Sequence, residues 1–320
     1  MLFSYTLDGP RLHQQPNGAD LGAAVWVDLY RPMPDQTDRV RALGIDPPTL
    51  ADMEEIEISN RLYRENGADY MTVVLPGLSE SKAPISGPVC FILTRERMIT
   101  VRHHAPRPFE TYPTRADKVG PGCSDPRKLF LSLVEEIVGR LADLLEGSGR
   151  ALDEIGGRVF RNEGSDTELS QALRDVSRES DLIGKVRLSL LTLERAVSFF
   201  GQSLIDGPGA AGGDGLKPFV KGLMRDIQAL EVHGDFLTNR IAMTSDLTLG
   251  MISVAQNTTV KIVSVVAVIF LPPTLIASAY GMNFANMPEL NTSWGYPAAV
   301  ALMLASAVGT YLFFKWKRWL

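Results

Sequence analysis

The sequence predicts an α/β cytosolic domain, then long stalk helices, then a two-helix C-terminal transmembrane hairpin, the whole built as an oligomer. Three observations lead there. Residues 262–280 and 297–314 are runs of 19 and 18 residues without a formal charge, and about 20 apolar residues suffice to cross the ~30 Å hydrocarbon core. No proline occurs between Pro218 and Pro272, so nothing in the chain forces a helix starting near 216 to break before the membrane. The beginning of the chain instead alternates β-branched and aromatic runs with turn residues, as strands do.

In chain order, residues 24–29, 56–60, 70–75, 89–94 and 98–102 are expected as strands, with Arg95-Glu96-Arg97 turning the last pair into a hairpin. Short helices are expected at 35–43 and 49–55. Ser124 or Asp125 is placed to cap the next helix, with Pro126 at its first position. Helical patterning then runs to about Leu204, with breaks expected near 147–149 and 162–165, before the glycine-rich linker 207–215. The domains are therefore drawn as 1–215, a cytosolic α/β domain with long helices; 216–256, a stalk helix; 257–284, a pore-lining first span; 285–296, an external loop; 297–314, the second span; and 315–320, a basic tail. A helix from 216 to 284 would be about 100 Å long at 1.5 Å per residue. It needs lateral support, and identical chains are the simplest source of it.

Charge supplies the orientation. Residues 257–320 hold four cations against Glu289, a net of +3; the chain is −5 overall, so residues 1–256 carry −8. An acidic soluble part argues against nucleic acid as partner. Lys261 precedes the first run, Lys315, Lys317 and Arg318 follow the second, and the joining loop has no Lys or Arg. The positive-inside rule then sets both termini in the cytoplasm, with Trp294, Tyr296, Tyr311, Trp316 and Trp319 at the lipid borders. The N-terminus lacks the basic start and apolar core of a signal peptide. Cys90 and Cys123 have no metal-site spacing, and Cys90 is expected to be a buried thiol. His103-His104 is expected in a loop rather than a metal site. Residues 1–256 show no phosphate loop, nucleophile motif or metal-ligand spacing, so neither an enzyme nor an organic cofactor is expected.

Heptad steps through the first run give Asn257, Ser264, Leu271 and Ser278, with Val260, Ala267, Thr274 and Gly281 on the adjoining row. Six of these eight are small or polar. Such a stripe either packs tightly against another helix or faces a water-filled path. Asn257 and Asn283 near its two ends favour the path, with Leu271 as a dewetting constriction. Pro272-Pro273 in mid-span frees backbone carbonyls.

Several of these residues carry a family resemblance. Tyr280-Gly281-Met282-Asn283-Phe284, Met287-Pro288-Glu289-Leu290 and Trp294-Gly295-Tyr296-Pro297 resemble the signature of CorA-type magnesium transporters. Phe270-Leu271-Pro272-Pro273-Thr274-Leu275 and the basic C-terminal segment match as well. The resemblance implies a homopentameric funnel in a bacterial-type inner membrane, in contact with lipid. It implies potential-driven Mg²⁺ uptake, with Co²⁺ and Ni²⁺ also admitted, closed by intracellular Mg²⁺. By position it makes Asn283 the entrance residue, shaped by Gly281 and Met282, and sets Asn257, Val263, Leu271 and Thr274 on the pore or its gate. A ring of amides accepts hydrogen bonds from the waters that Mg²⁺ holds so tightly, without stripping them. A ring of Glu289 would concentrate cations at the mouth. The regulatory ligands are not fixed by the resemblance; Glu80, Asp226, Glu231 and Asp235 are the candidates. Two alternatives stay open. A zinc-handling branch of the superfamily tends to replace the tripeptide methionine, which Met282 argues against. A membrane-anchored sensor or scaffold would carry no flux.

Overall fold

The computed structural model describes the chain except residues 56, 58–60, 162–165, 207–214, 283–291 and 318–320. Two compact units emerge: residues 1–157 with 173–245, and residues 158–172 with 246–320.

The first unit is built on a sheet of seven strands: β1 (Leu2–Asp8), β2 (Arg11–Gln14), β3 (Trp26–Tyr30), β4 (Leu62–Glu65), β5 (Ala68–Leu78), β6 (Pro84–Leu93) and β7 (Met98–Arg102). Their order is β2-β1-β3-β7-β6-β5-β4. Only the β3–β7 neighbours run parallel. Side chains alternate between the faces, as strand geometry requires. Val27, Leu29, Cys90, Ile92, Ile99 and Val101 pack in one core cluster with Val40 of α1 (Pro34–Arg41) and Met53 of α2 (Leu50–Glu54). The opposite face holds the aromatic set Trp26, Phe91, Phe109 and Phe130, with Phe91 and Phe130 edge-on at 5.4 Å. Phe130 in turn meets Phe200 at 5.0 Å. These last two lie on α4 (Pro126–Arg161) and α5 (Asp166–Asp206); the short α3 (Pro108–Thr111) supplies Phe109.

A polar seam crosses that aromatic face. Arg102 pairs with Asp28 at 2.8 Å, both buried. Thr100 Oγ1 donates to Asp28 at 2.7 Å and accepts from Trp26 Nε1 at 3.0 Å. The Arg102 guanidinium also lies over the Tyr30 and Phe109 rings. The sheet is tied to α5 where the Val74 amide donates to Thr192 Oγ1 at 3.0 Å.

The longest element, α6 (Lys217–Tyr280), is one helix of 64 residues that passes through Pro272 and Pro273. In the first unit its buried positions are Leu223, Ile227, Gly234 and Leu237, spaced three to seven apart along one face. Arg240 pairs with Asp153 on α4 and Asp235 with Arg187 on α5. The last helix, α7, spans Gly295–Trp316. The membrane-length runs of α6 and α7 are both largely exposed in the single chain.

Several local expectations change. α4 runs unbroken through Gly147–Gly149, because Leu145, Ser148 and Leu152 are buried there and their packing outweighs the ~1 kcal/mol helix penalty of each glycine. α6 ends at Tyr280, four residues before the expected 284. β1, β2 and β4 were not expected. The strand expected at 56–60 falls almost wholly outside the described residues, as does the break at 162–165. Asp125 is the cap residue of α4: its Oδ1 accepts from the Arg127 and Lys128 amides at 2.9 and 3.1 Å.

Candidate ion pathway

Within the membrane-length part of α6, coverage divides the helix lengthwise. Val265 is buried, and Ile269, Pro272, Pro273, Ile276 and Tyr280 are partly covered. At 100° per residue these six centre about 140° round the helix from the row Asn257, Ser264, Leu271 and Ser278. All four of that row are exposed, as are Thr274 and Val263 beside it, and Leu271 is 69% exposed. The polar stripe is thus not the surface by which the span is covered within its own chain. Successive row members stand about 10.5 Å apart along the axis.

The hydroxyls of the stripe are oriented. Ser264 Oγ donates to the Val260 carbonyl at 2.7 Å, and Thr274 Oγ1 to the Phe270 carbonyl at 2.6 Å. Their protons are engaged on their own helix, so each oxygen presents lone pairs outward. A hydrated cation turns its water hydrogens outward, and such oxygens complement it. The two prolines lack N–H groups, so the carbonyls of Val268 and Ile269 lose their helical donors.

At the end of α6 the Gly281 amide still donates to the Ala277 carbonyl at 2.9 Å. A Cβ there would stand 3.1 Å from that same carbonyl oxygen, tighter than most side chains tolerate. Met282 follows, exposed, with its amide 3.4 Å from the Ala279 carbonyl. Asn283 and Glu289 lie outside the described residues.

The four carboxylates considered for regulation do not converge. Glu80, on the β5–β6 connection, pairs with Arg31 at 3.0 Å on the surface. Asp235 is engaged by Arg187. Glu231 shares its helix face with Asp235; its carboxyl is pushed up by partial burial, then by Glu194 and Asp235. Asp226 lines a cavity of about 460 Å³ with Glu135 of α4, Phe219 and Leu223. Glu135 is pushed up by burial and then by the charge of Asp226. Sequence reading missed Glu135 and Glu194: both sit on other helices, and no local spacing links them to α6. Among the described residues no group of three or more His, Cys, Asp or Glu stands close enough to hold a metal ion. His104 is not such a ligand in this chain. It is buried behind β5 with Nε2 2.9 Å from the Leu75 carbonyl, and burial holds it down to about 4.

The CorA-like Mg²⁺ transporter protein family matches residues 22–318. Magnesium transport proteins CorA of Pectobacterium atrosepticum and Salmonella typhimurium are 33% and 34% identical over 324 aligned residues, covering all of this chain and of each relative. The Escherichia coli K12 protein of the same name is 32% identical over 323. Among solved structures, the complete CorA magnesium transporter from Methanocaldococcus jannaschii superposes with a TM-score of 0.74 at 16% identity, covering 100% of this chain and 99% of that one. Full-length CmaX superposes at 0.62 and 15%, covering 99% and 97%. At those identities the structures speak for the fold, and the near-complete sequence match settles the rest: this chain belongs to the CorA-like Mg²⁺ transporter family.

Proposed function

We propose that several copies of this chain assemble, as a pentamer, around the exposed stripe of α6, and that Mg²⁺ passes along it into the cell down the electrochemical gradient. The observation that supports this is the split of the first span into a covered apolar flank and an uncovered flank bearing Asn257, Ser264, Leu271, Thr274 and Ser278. Polar groups at membrane depth face protein or water, and this flank meets neither within its own chain. Oxygens at Ser264 and Thr274 accept from the ion's water shell and leave the octahedral complex intact. Asn283, with Gly281 and Met282, forms the entrance, Glu289 enriches cations in front of it, and Val263 and Leu271 narrow the path. Co²⁺ and Ni²⁺, of similar size and hydration, pass as well. Both termini face the cytoplasm.

Closure follows rising internal Mg²⁺. Asp226 and Glu135 are the carboxylates best placed to sense it, since their mutual repulsion is relieved by a divalent cation. Further oxygen ligands come from water or a neighbouring copy. Reconstitution of the full chain in liposomes tests the proposal: Mg²⁺ influx is expected, reduced at least tenfold by Asn283→Ala. A folded protein with no flux would leave a tethered sensor or scaffold as the alternative, and preference for Zn²⁺ would move the chain to the zinc-handling branch.

A further inference from the structure

A second cavity, of about 540 Å³, lies in the first unit between α4 and the segment running from Arg107 through α3 to Val119. That volume is within the range of small-molecule sites. Four of its side chains are cationic, Arg107, Arg115, Lys118 and Arg140, in a part of the chain that is acidic overall. Two of the four are engaged. Arg115 pairs with Glu136 at 3.3 Å, a carboxylate that also accepts from Thr111 Oγ1 at 3.0 Å, and Arg140 stands 3.9 Å from Asp143. Arg107 and Lys118 are exposed and pair with no acid among the described residues.

This cavity shares a wall with the one that Asp226 lines. Lys118 and Val119 line the first, Gly120 and Pro121 the second, and Glu135 lines both. The Glu135 carboxylate lies against Gly120, whose φ is +53° and where a Cβ would stand 2.5 Å from Oε2. Glycine at 120 is what leaves Glu135 room in that wall.

The charges and the lining select the ligand. A phosphate monoester carries about −1.5 to −2 at pH 7, which matches the two unpaired cations. Arginine offers its oxygens a fork of donors and lysine a point charge. The lining has no aromatic ring for a nucleobase to stack on, and its only apolar side chains are Pro108 and Val119. Glu135 and Glu136 supply acceptors for hydroxyl groups. We propose that this cavity binds a phosphorylated sugar or polyol, its phosphate on Arg107 and Lys118 and its hydroxyls on Glu135 and Glu136. A phosphate on one side of the Glu135 wall and Mg²⁺ on the other attract each other, so each tightens the other by the same factor. That coupling, unlike the site itself, rests on the Mg²⁺ sensing by Glu135 and Asp226 proposed above.

Isothermal titration of the full chain in detergent tests the site. Glucose 6-phosphate is expected to bind saturably, once per chain and at least tenfold more tightly than inorganic phosphate, and glucose not at all. Arg107→Ala combined with Lys118→Ala, both on the surface, is expected to weaken glucose 6-phosphate at least tenfold with the elution profile unchanged, while Lys82→Ala, an exposed lysine elsewhere, binds as the parent does. No saturable binding, or undiminished binding by the double variant, would overturn the site. Inorganic phosphate binding as tightly would overturn the sugar as its ligand. Millimolar Mg²⁺ is expected to tighten glucose 6-phosphate about fivefold, and Asp226→Asn to abolish that gain without changing affinity in Mg²⁺-free buffer. An affinity indifferent to Mg²⁺ would overturn the coupling and spare the site.

Discussion

Leu271 is the bulkiest side chain on the stripe and is largely exposed in the single chain. In the ring proposed above its isobutyl group is the proposed constriction of the water column. Leu271→Ser is expected to leave Mg²⁺ influx intact but to weaken its suppression by internal Mg²⁺, read as flux that persists in Mg²⁺-loaded liposomes. Far from the path, Asp28 is a buried carboxylate whose partners are Arg102 and Thr100. Asp28→Ala strands a buried guanidinium and is expected to cost about 3–5 kcal/mol, seen as a lower thermal unfolding midpoint in detergent; no loss of stability would mean that water reaches Arg102. The Cys90 thiol, fully enclosed and pushed up to about 12, is expected to resist maleimide in the folded protein and to react on unfolding. Cys90 was legible in the sequence as a buried strand thiol because it sits in an apolar run. The Asp28–Arg102 pair was not, because its members are 74 residues apart and meet only through the parallel β3–β7 neighbours.

The contact between α4 and α6 sets the behaviour of Glu135. Its carboxyl titrates higher in the folded chain than in the unfolded one, so the folded state holds the proton longer. The resulting penalty is absent at low pH and grows as pH climbs through the unfolded and then the folded value. A divalent cation removes that penalty only where the carboxyl is ionised. Mg²⁺ is therefore expected to raise the unfolding temperature more near pH 7.5 than near pH 5, and Glu135→Gln is expected to abolish most of the difference. An equal Mg²⁺ effect at both pH values would remove Glu135 from the ligand set. Elements were readable where one period dominated. β5, β6 and β7 announce themselves through valine, isoleucine and tyrosine, and α6 through the long stretch without proline between Pro218 and Pro272. β2, only four residues long and nearly all exposed, has no apolar run to read. The continuity of α4 across its glycines is a tertiary effect, invisible to local propensity.

For the molecule as a whole, the split between a strand-rich beginning and two uncharged apolar runs was plain from composition and charge alone. How many copies meet was not, because a single helix stripe fixes which side faces the axis but not how many sides the ring has. Single-particle imaging of the purified protein is expected to count five copies, related by five-fold symmetry in millimolar Mg²⁺ and departing from it when the ion is chelated; a dimer or trimer would sink the assembly proposed above. The paired prolines bear on how such a ring comes into being. They leave Val268 and Ile269 each with a backbone oxygen that has lost its usual amide donor four residues on. Hydrocarbon cannot serve it either. In the assembly proposed above, neighbours or trapped water meet these two freed acceptors, so completing the ring and stabilising the inserted helix become one event.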